Sequence, residues 1–225
     1  GGLSNHSEPL DFSAPRAFQH FRILSKEELE QVHIAVGCPG PSVNEKERYA
    51  AFLLNAVLGG SVSSRLFQCI REEHGLAYSV YSALETYADA GCFWIYAGTR
   101  PDAAATVLDL IIEELSVLRE VPVSPKELSR MKENLKGSVM LGLESTVGRM
   151  STLAQQEMYF GQTFDMDEIL LGIDGVEAEQ IQEMARRVFA DDGIAVDVLA
   201  QRSVAEKLNT RFADGLTLPA GGRQE

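Results

Sequence analysis

Residues 76–98 place the tightest limit on what this chain can become. LAYSVYSAL (76–84) and GCFWIYAG (91–98) are both rich in aromatic and β-branched residues, and they are joined through TYADAG. Two such runs separated by a short turn segment predict a β-hairpin. GCFWIYAG is apolar at every other position on both faces, which predicts a central strand. An antiparallel hairpin in mid-chain argues against a doubly wound parallel sheet.

The flanks fill in the rest. Short strands are predicted at 17–24 and 29–36, the second from the alternation of Val32, Ile34 and Val36 with His33 and Ala35. A helix follows from about Asn44, its predicted N-cap. Tyr49, Phe52, Leu53, Ala56 and Val57 form an apolar face, and Gly59-Gly60 stops it. Ser61–Ser64 open the next helix, which ends at Gly75 in the C′ position. After the hairpin, Thr99 is the predicted cap of a helix whose inner face is Val107, Leu108, Ile111, Leu115 and Leu118. Pro125 opens another helix, and Ser145 or Thr146 caps a third. A helix at about 177–190 and a strand at 193–200 complete the order ββ-αα-ββ-α-αα-α-β. The expected fold class is α+β, with helices packed on one face of a mostly antiparallel sheet.

Residues 1–16 are polar with Pro and Ser and read as a linker. The domain is expected over 17–212, with a frayed tail at 213–225. The chain opens Gly-Gly without an initiator Met, which suggests a processed or excised piece.

The chemistry is narrowed by what is missing. The net charge is −13, from 33 acidic and 20 basic residues, which disfavours nucleic acid and anionic membrane as partners. No apolar run is long enough for a transmembrane helix. Cys38, Cys69 and Cys92 form no C-x-x-C pair, so buried thiols in a reducing setting are expected; the cytoplasm is favoured without a firm assignment. His6, His20, His33 and His74 include no i, i+4 pair. There is no H-E-x-x-H, no H-x-x-E-H, no phosphate loop and no G-x-S-x-G elbow. No metal site is expected within this chain.

Arg71 and Tyr78 stand seven residues apart across a helix–Gly75–strand corner. Both are hydrogen-bond donors, suited to peptide carbonyls or to an oxyanion. By residue type alone, Arg71 also reads as an exposed helix residue near Glu73 and Tyr78 as a half-buried strand aromatic. His74 could join them, although Glu72 and Glu73 point to a solvated charged turn.

The block LNAVLGGSVSSRLFQCIREEHGLAYSVYS, residues 54–82, closely resembles the C-terminal half of inverzincin metallopeptidases, the pitrilysin, insulysin and mitochondrial processing peptidase family. EQVHIAVGCPGP (30–41), DAGCFWIYAGTRP (89–101), KGSVMLGLESTVGRMSTLAQQEMYFG (136–161) and ILLGIDGVEAEQIQEMARRVF (169–189) extend the resemblance over about 17–200. It implies an α+β half that completes a chamber with a missing N-terminal half, which carries H-x-x-E-H and the zinc. It implies that Arg71 and Tyr78 bind substrate backbone, with Tyr78 supporting catalysis as an oxyanion donor. Gly59, Gly60 and Ser61 match a loop that faces substrate in processing-peptidase relatives. The implied partners are the chain's own zinc-binding half or a homologous zinc-bearing subunit, and a peptide substrate; a homodimer stays open. The alternative is a non-catalytic partner or a scaffold subunit. The isolated chain is expected to be inactive.

Overall fold

The computed structural model describes residues 19–212 and Leu218. The expected linker, 1–16, and the rest of the expected tail lie outside those residues. Leu218 itself is buried against the core, so fraying does not extend to it.

Among the described residues, five strands form one sheet: β1 (His20–Ser25), β2 (Val32–Gly40), β3 (Ala77–Thr86), β4 (Gly91–Thr99) and β5 (Ala195–Ala200), in the order β1-β5-β2-β4-β3. The β3–β4 hairpin, β2–β4 and β2–β5 are antiparallel, and β1–β5 is parallel. The sheet is therefore mostly antiparallel, as the hairpin required. GCFWIYAG is indeed an interior strand, bonded on both edges.

Period-2 alternation splits the sheet into two faces. Val32, Ile34, Val36 and Cys38 of β2, Phe93, Ile95 and Ala97 of β4, and Val196 and Val198 of β5 are all buried. The intervening residues form a second face that retains solvent access. There Tyr81 packs on Trp94 and Tyr96, with ring centroids 5.4 and 5.5 Å apart, and His33 Nδ1 lies 2.7 Å from the Tyr96 hydroxyl. The apolar character of both faces of β4 thus has two causes: one face meets the core, the other carries an aromatic row.

The helical layer covers the first face. It comprises α1 (Arg48–Leu58), a π-helix (Phe67–Glu73), α2 (Ala104–Glu120), α3 (Pro125–Glu144), α4 (Thr146–Phe160), α5 (Met166–Asp174), α6 (Ala178–Val188) and α7 (Arg202–Arg211). The expected inner face of α2 is fully buried: Val107, Leu108, Ile111, Leu115 and Leu118. Phe93 of β4 meets Phe189 edge-on at 5.3 Å, joining sheet to helices. Ser124 and Ser145 cap α3 and α4 through their side chains. No helix among the described residues is long and apolar enough to cross a membrane.

Several expectations need correcting. Asn44 is not an N-cap; α1 starts at Arg48, and the Asn44 amide donates instead to the Ala88 carbonyl. Thr99 does not cap α2 either. It closes β4, buried, and its hydroxyl donates to the Leu76 carbonyl at 2.6 Å. α5 and α7 are additional helices.

Candidate functional site

The corner is built in three steps. First, Gly59 ends α1 and docks on the hairpin. The Gly59 and Gly60 amides both donate to the Asn55 carbonyl, at 3.0 and 2.8 Å. Gly59 is buried against Ser82 of β3, where an added Cβ would stand 2.4 Å from the Ser82 nitrogen. Ser82 donates its amide to the Gly59 carbonyl at 3.2 Å and its hydroxyl to Asn55 Oδ1 at 2.7 Å. Local packing by itself explains why Gly59 must be glycine. Gly60 is exposed, and Ser61 is half-buried, its carbonyl accepting the Ser64 hydroxyl at 2.5 Å.

Second, the segment that reads as an ordinary amphipathic helix is a π-helix over Phe67–Glu73. Its wide turn closes with the His74 amide on the Cys69 carbonyl, five residues back, at 3.2 Å. Leu66 and Ile70 point into the core. Gly75 sits at φ +62° in the predicted C′ position, and the Leu76 amide returns to the Ile70 carbonyl at 2.9 Å. That return spans six residues, one more than the usual helix-end bond, in keeping with the wide π-turn before it.

Third, β3 starts with a bulge. Ala77 pairs with Thr99 and Ser79 pairs with Gly98, so Tyr78 is the extra residue between two consecutive partners. A bulge re-aims its side chain away from the sheet's alternation. Tyr78 is accordingly 80% exposed, not half-buried as its residue type suggested.

These steps bring Arg71 and Tyr78 together. The Arg71 guanidinium carbon lies 4.9 Å from the Phe67 ring centre and 5.8 Å from the Tyr78 ring centre. Its carboxylate neighbour is Glu72, not Glu73, at 3.8 Å with both side chains in solvent. A surface pair at that distance contributes little, whereas two aromatic faces orient a guanidinium and leave its N–H edges available. The arrangement presents a guanidinium and a phenol, both donors, to solvent at one end of the sheet. Phe67 was not singled out in the sequence, although its i, i+4 spacing from Arg71 carries the signal.

His74 does not join the pair; its Nδ1 lies 2.8 Å from the Cys69 carbonyl. Cys69, Glu73 and His74 form a group of potential metal donors within 4.8 Å of one another, one buried and two exposed. These are not the two histidines and glutamate of an H-x-x-E-H site, and the resemblance assigns that zinc to the missing half, so no step is assigned to a metal here.

The Peptidase M16 inactive domain family model matches residues 2–135, more than half of the chain. The chain is 41% identical over 175 residues to the uncharacterized zinc protease YmxG of Bacillus subtilis, covering 78% of this chain and 43% of that protein. It is 39% identical over 189 residues to an uncharacterized zinc protease of Streptomyces coelicolor, covering 81% and 40%. The chain therefore spans less than half the length of these curated relatives. Among solved structures, a conserved protein from Enterococcus faecalis V583 superposes with a TM-score of 0.74 at 23% identity, over 85% of this chain and 44% of that one. A peptidase M16 inactive domain from Pseudomonas fluorescens superposes with a TM-score of 0.72 at 21% identity, over 83% and 44%. The structures support the fold, and the sequence match fixes the family: this chain is a member of peptidase family M16, as its C-terminal, inactive domain.

Proposed function

We propose that this chain is the substrate-binding C-terminal half of a zinc metallopeptidase that hydrolyses peptides or unfolded segments. It completes a chamber with an H-x-x-E-H half, borne by the same protein or by a homologous subunit. The observation that carries this reading is the exposed Arg71–Tyr78 pair, oriented by Phe67 and by the β3 bulge. Tyr78 donates its hydroxyl to the oxygen of the carbonyl under attack. Arg71 holds a neighbouring carbonyl of the peptide backbone. Neither group can ligate a cation in its protonated form, so both act on substrate. Of the expected loop Gly59, Gly60 and Ser61, Gly59 is buried against Ser82 and anchors the turn, while Gly60 and Ser61 belong to the same proposal as backbone contacts on the substrate side.

The test is Tyr78→Phe in the protein that carries both halves, assayed on an unfolded polypeptide substrate. A donor acting in the transition state is worth about 10²–10³ in kcat, so a loss of that size is expected. An unchanged kcat/KM removes Tyr78 from the mechanism. Activity that appears only with a second, zinc-bearing subunit assigns the chamber to two chains.

A further inference from the structure

We propose that a second site, remote in the fold from Arg71 and Tyr78, binds an apolar monocarboxylate in the cavity between α1, α3, α4 and α5. The cavity holds about 340 Å³, within the range of small-molecule sites. Phe52, Val139, Leu143, Phe160 and Ile169 make its wall apolar. Few polar groups reach it. One is the Gln156 side chain, whose amide oxygen already accepts the Phe164 N–H at 3.0 Å.

Arg48 is the charged group at this cavity. Its guanidinium carbon stands 4.9 Å from the Tyr49 ring centre, 5.1 Å from Phe160 and 5.2 Å from Phe164. The cage is itself fixed: Phe160 and Phe164 meet edge-on at 5.1 Å, and Tyr49 fills the space left by the missing side chain of Gly172. A Cβ on Gly172 would stand 2.3 Å from the Tyr49 ring. Among the described residues no carboxylate forms an ion pair with Arg48. Glu45, three residues before it, is paired with Arg187 at 2.6 Å.

A guanidinium stacked by aromatic faces keeps its in-plane N–H fork, which matches the two oxygens of a carboxylate. A cationic ligand is disfavoured, because Arg48 already occupies the aromatic cage. The apolar wall then takes the ligand's hydrocarbon body. Gly142 borders the same space, and a Cβ built there meets no atom within 4 Å. Glycine inside a helix is disfavoured relative to alanine, and here no neighbour requires it.

Isothermal titration of the 225-residue chain with decanoate, 1-decanol and decylamine, each below its aggregation concentration, tests the site. Saturable one-to-one binding of decanoate is expected, at least about tenfold tighter than the alcohol or the amine, the scale of a charge-assisted hydrogen bond. Arg48→Gln should bring decanoate to the level of the alcohol. Gly142→Phe, which keeps Arg48 and fills the space, should abolish binding of both. Equal affinity for decanol, unchanged decanoate affinity in a folded Arg48→Gln variant, or no saturable binding overturns the proposal.

Discussion

The Arg71 guanidinium carbon stands 5.8 Å from the centre of the Tyr78 ring, although the two residues belong to different elements and are separated by a left-handed glycine. The contact is solvent-facing, and Tyr78 is 80% exposed. It therefore contributes little to folding and leaves both donors accessible.

Arg71→Ala should separate these two properties. Surface substitutions away from cores and caps usually change stability by about 0.5 kcal/mol or less, so thermal melting should be nearly unchanged. Loss of a charge-assisted hydrogen bond to a substrate carbonyl costs about 1.5–3 kcal/mol. In the two-half protein kcat/KM should then fall roughly 10- to 100-fold. Arg71→Lys should recover part of it, since a point charge replaces a planar fork. A large drop in melting temperature with no kinetic effect would make Arg71 structural.

Gly59→Ala should be destabilising, because the new Cβ would stand 2.4 Å from a backbone nitrogen in the sheet. Overpacking of this kind costs about 1–3 kcal/mol, equivalent to a fall of several degrees for a chain of this size. The Gly59 φ of −154° lies outside the left-handed region, so crowding rather than a left-handed backbone is the cause. A variant that melts with the wild type would show that β3 yields at Ser82.

How much of this was legible in the sequence follows from what each feature depends on. The hairpin and the inner face of α2 depend on local periodicity, and both were readable. α7 was not, because its buried face is only Ala205 and Leu208 on an otherwise polar helix. The parallel β1–β5 pair joins residues about 175 apart, and no local pattern encodes that register. Thr99 has the composition of a cap but serves a strand end, because its hydroxyl finds the Leu76 carbonyl. At the site, residue types and spacing left Arg71 and Tyr78 open between a donor pair and an ordinary helix–strand corner, and it was the resemblance of residues 54–82 that singled them out. The bulge and the π-turn that bring them together come from pairing with Thr99 and Gly98 and from burial of Leu66 and Ile70, which are tertiary.

Arg65 links the start of the π-helix to two helices. It forms a two-pronged bond to Glu127 of α3, at 2.9 and 2.8 Å, and lies 3.8 Å from Glu114 of α2. Burial alone would lower the Arg65 pKa, but the Glu127 hydrogen bond and the charges of Glu127 and Glu114 more than offset it, and the net shift is upward. Truncating one member of a largely buried ion pair costs about 3–5 kcal/mol, mostly from the charges left behind. Arg65→Met should therefore lower the denaturation midpoint strongly, and adding Glu127→Gln should restore part of the loss. A single variant as stable as wild type would mean that solvent reaches both carboxylates.

Asp197 ties β1 to β5 by accepting from Arg22 Nε at 2.5 Å, with His20 Nε2 at 3.1 Å from its other oxygen. Partial burial pushes its pKa up, but the Arg22 and His20 hydrogen bonds and charges outweigh that and hold it below the ordinary 3.8. A carboxylate depressed in the folded state stabilises the protein at pH values above its unfolded pKa. That contribution is lost as pH falls through the folded value. The side chain is 37% exposed, so solvent screening keeps the contribution within about 0–1 kcal/mol. Asp197→Asn should accordingly melt about 1–3 °C below wild type at pH 7, and the gap should close as pH drops below 3.8. Parallel thermal melts of the two proteins from pH 7 to pH 2.5 check this; a gap that stays constant through the acid range would assign the effect of the substitution to packing between β1 and β5 instead of charge.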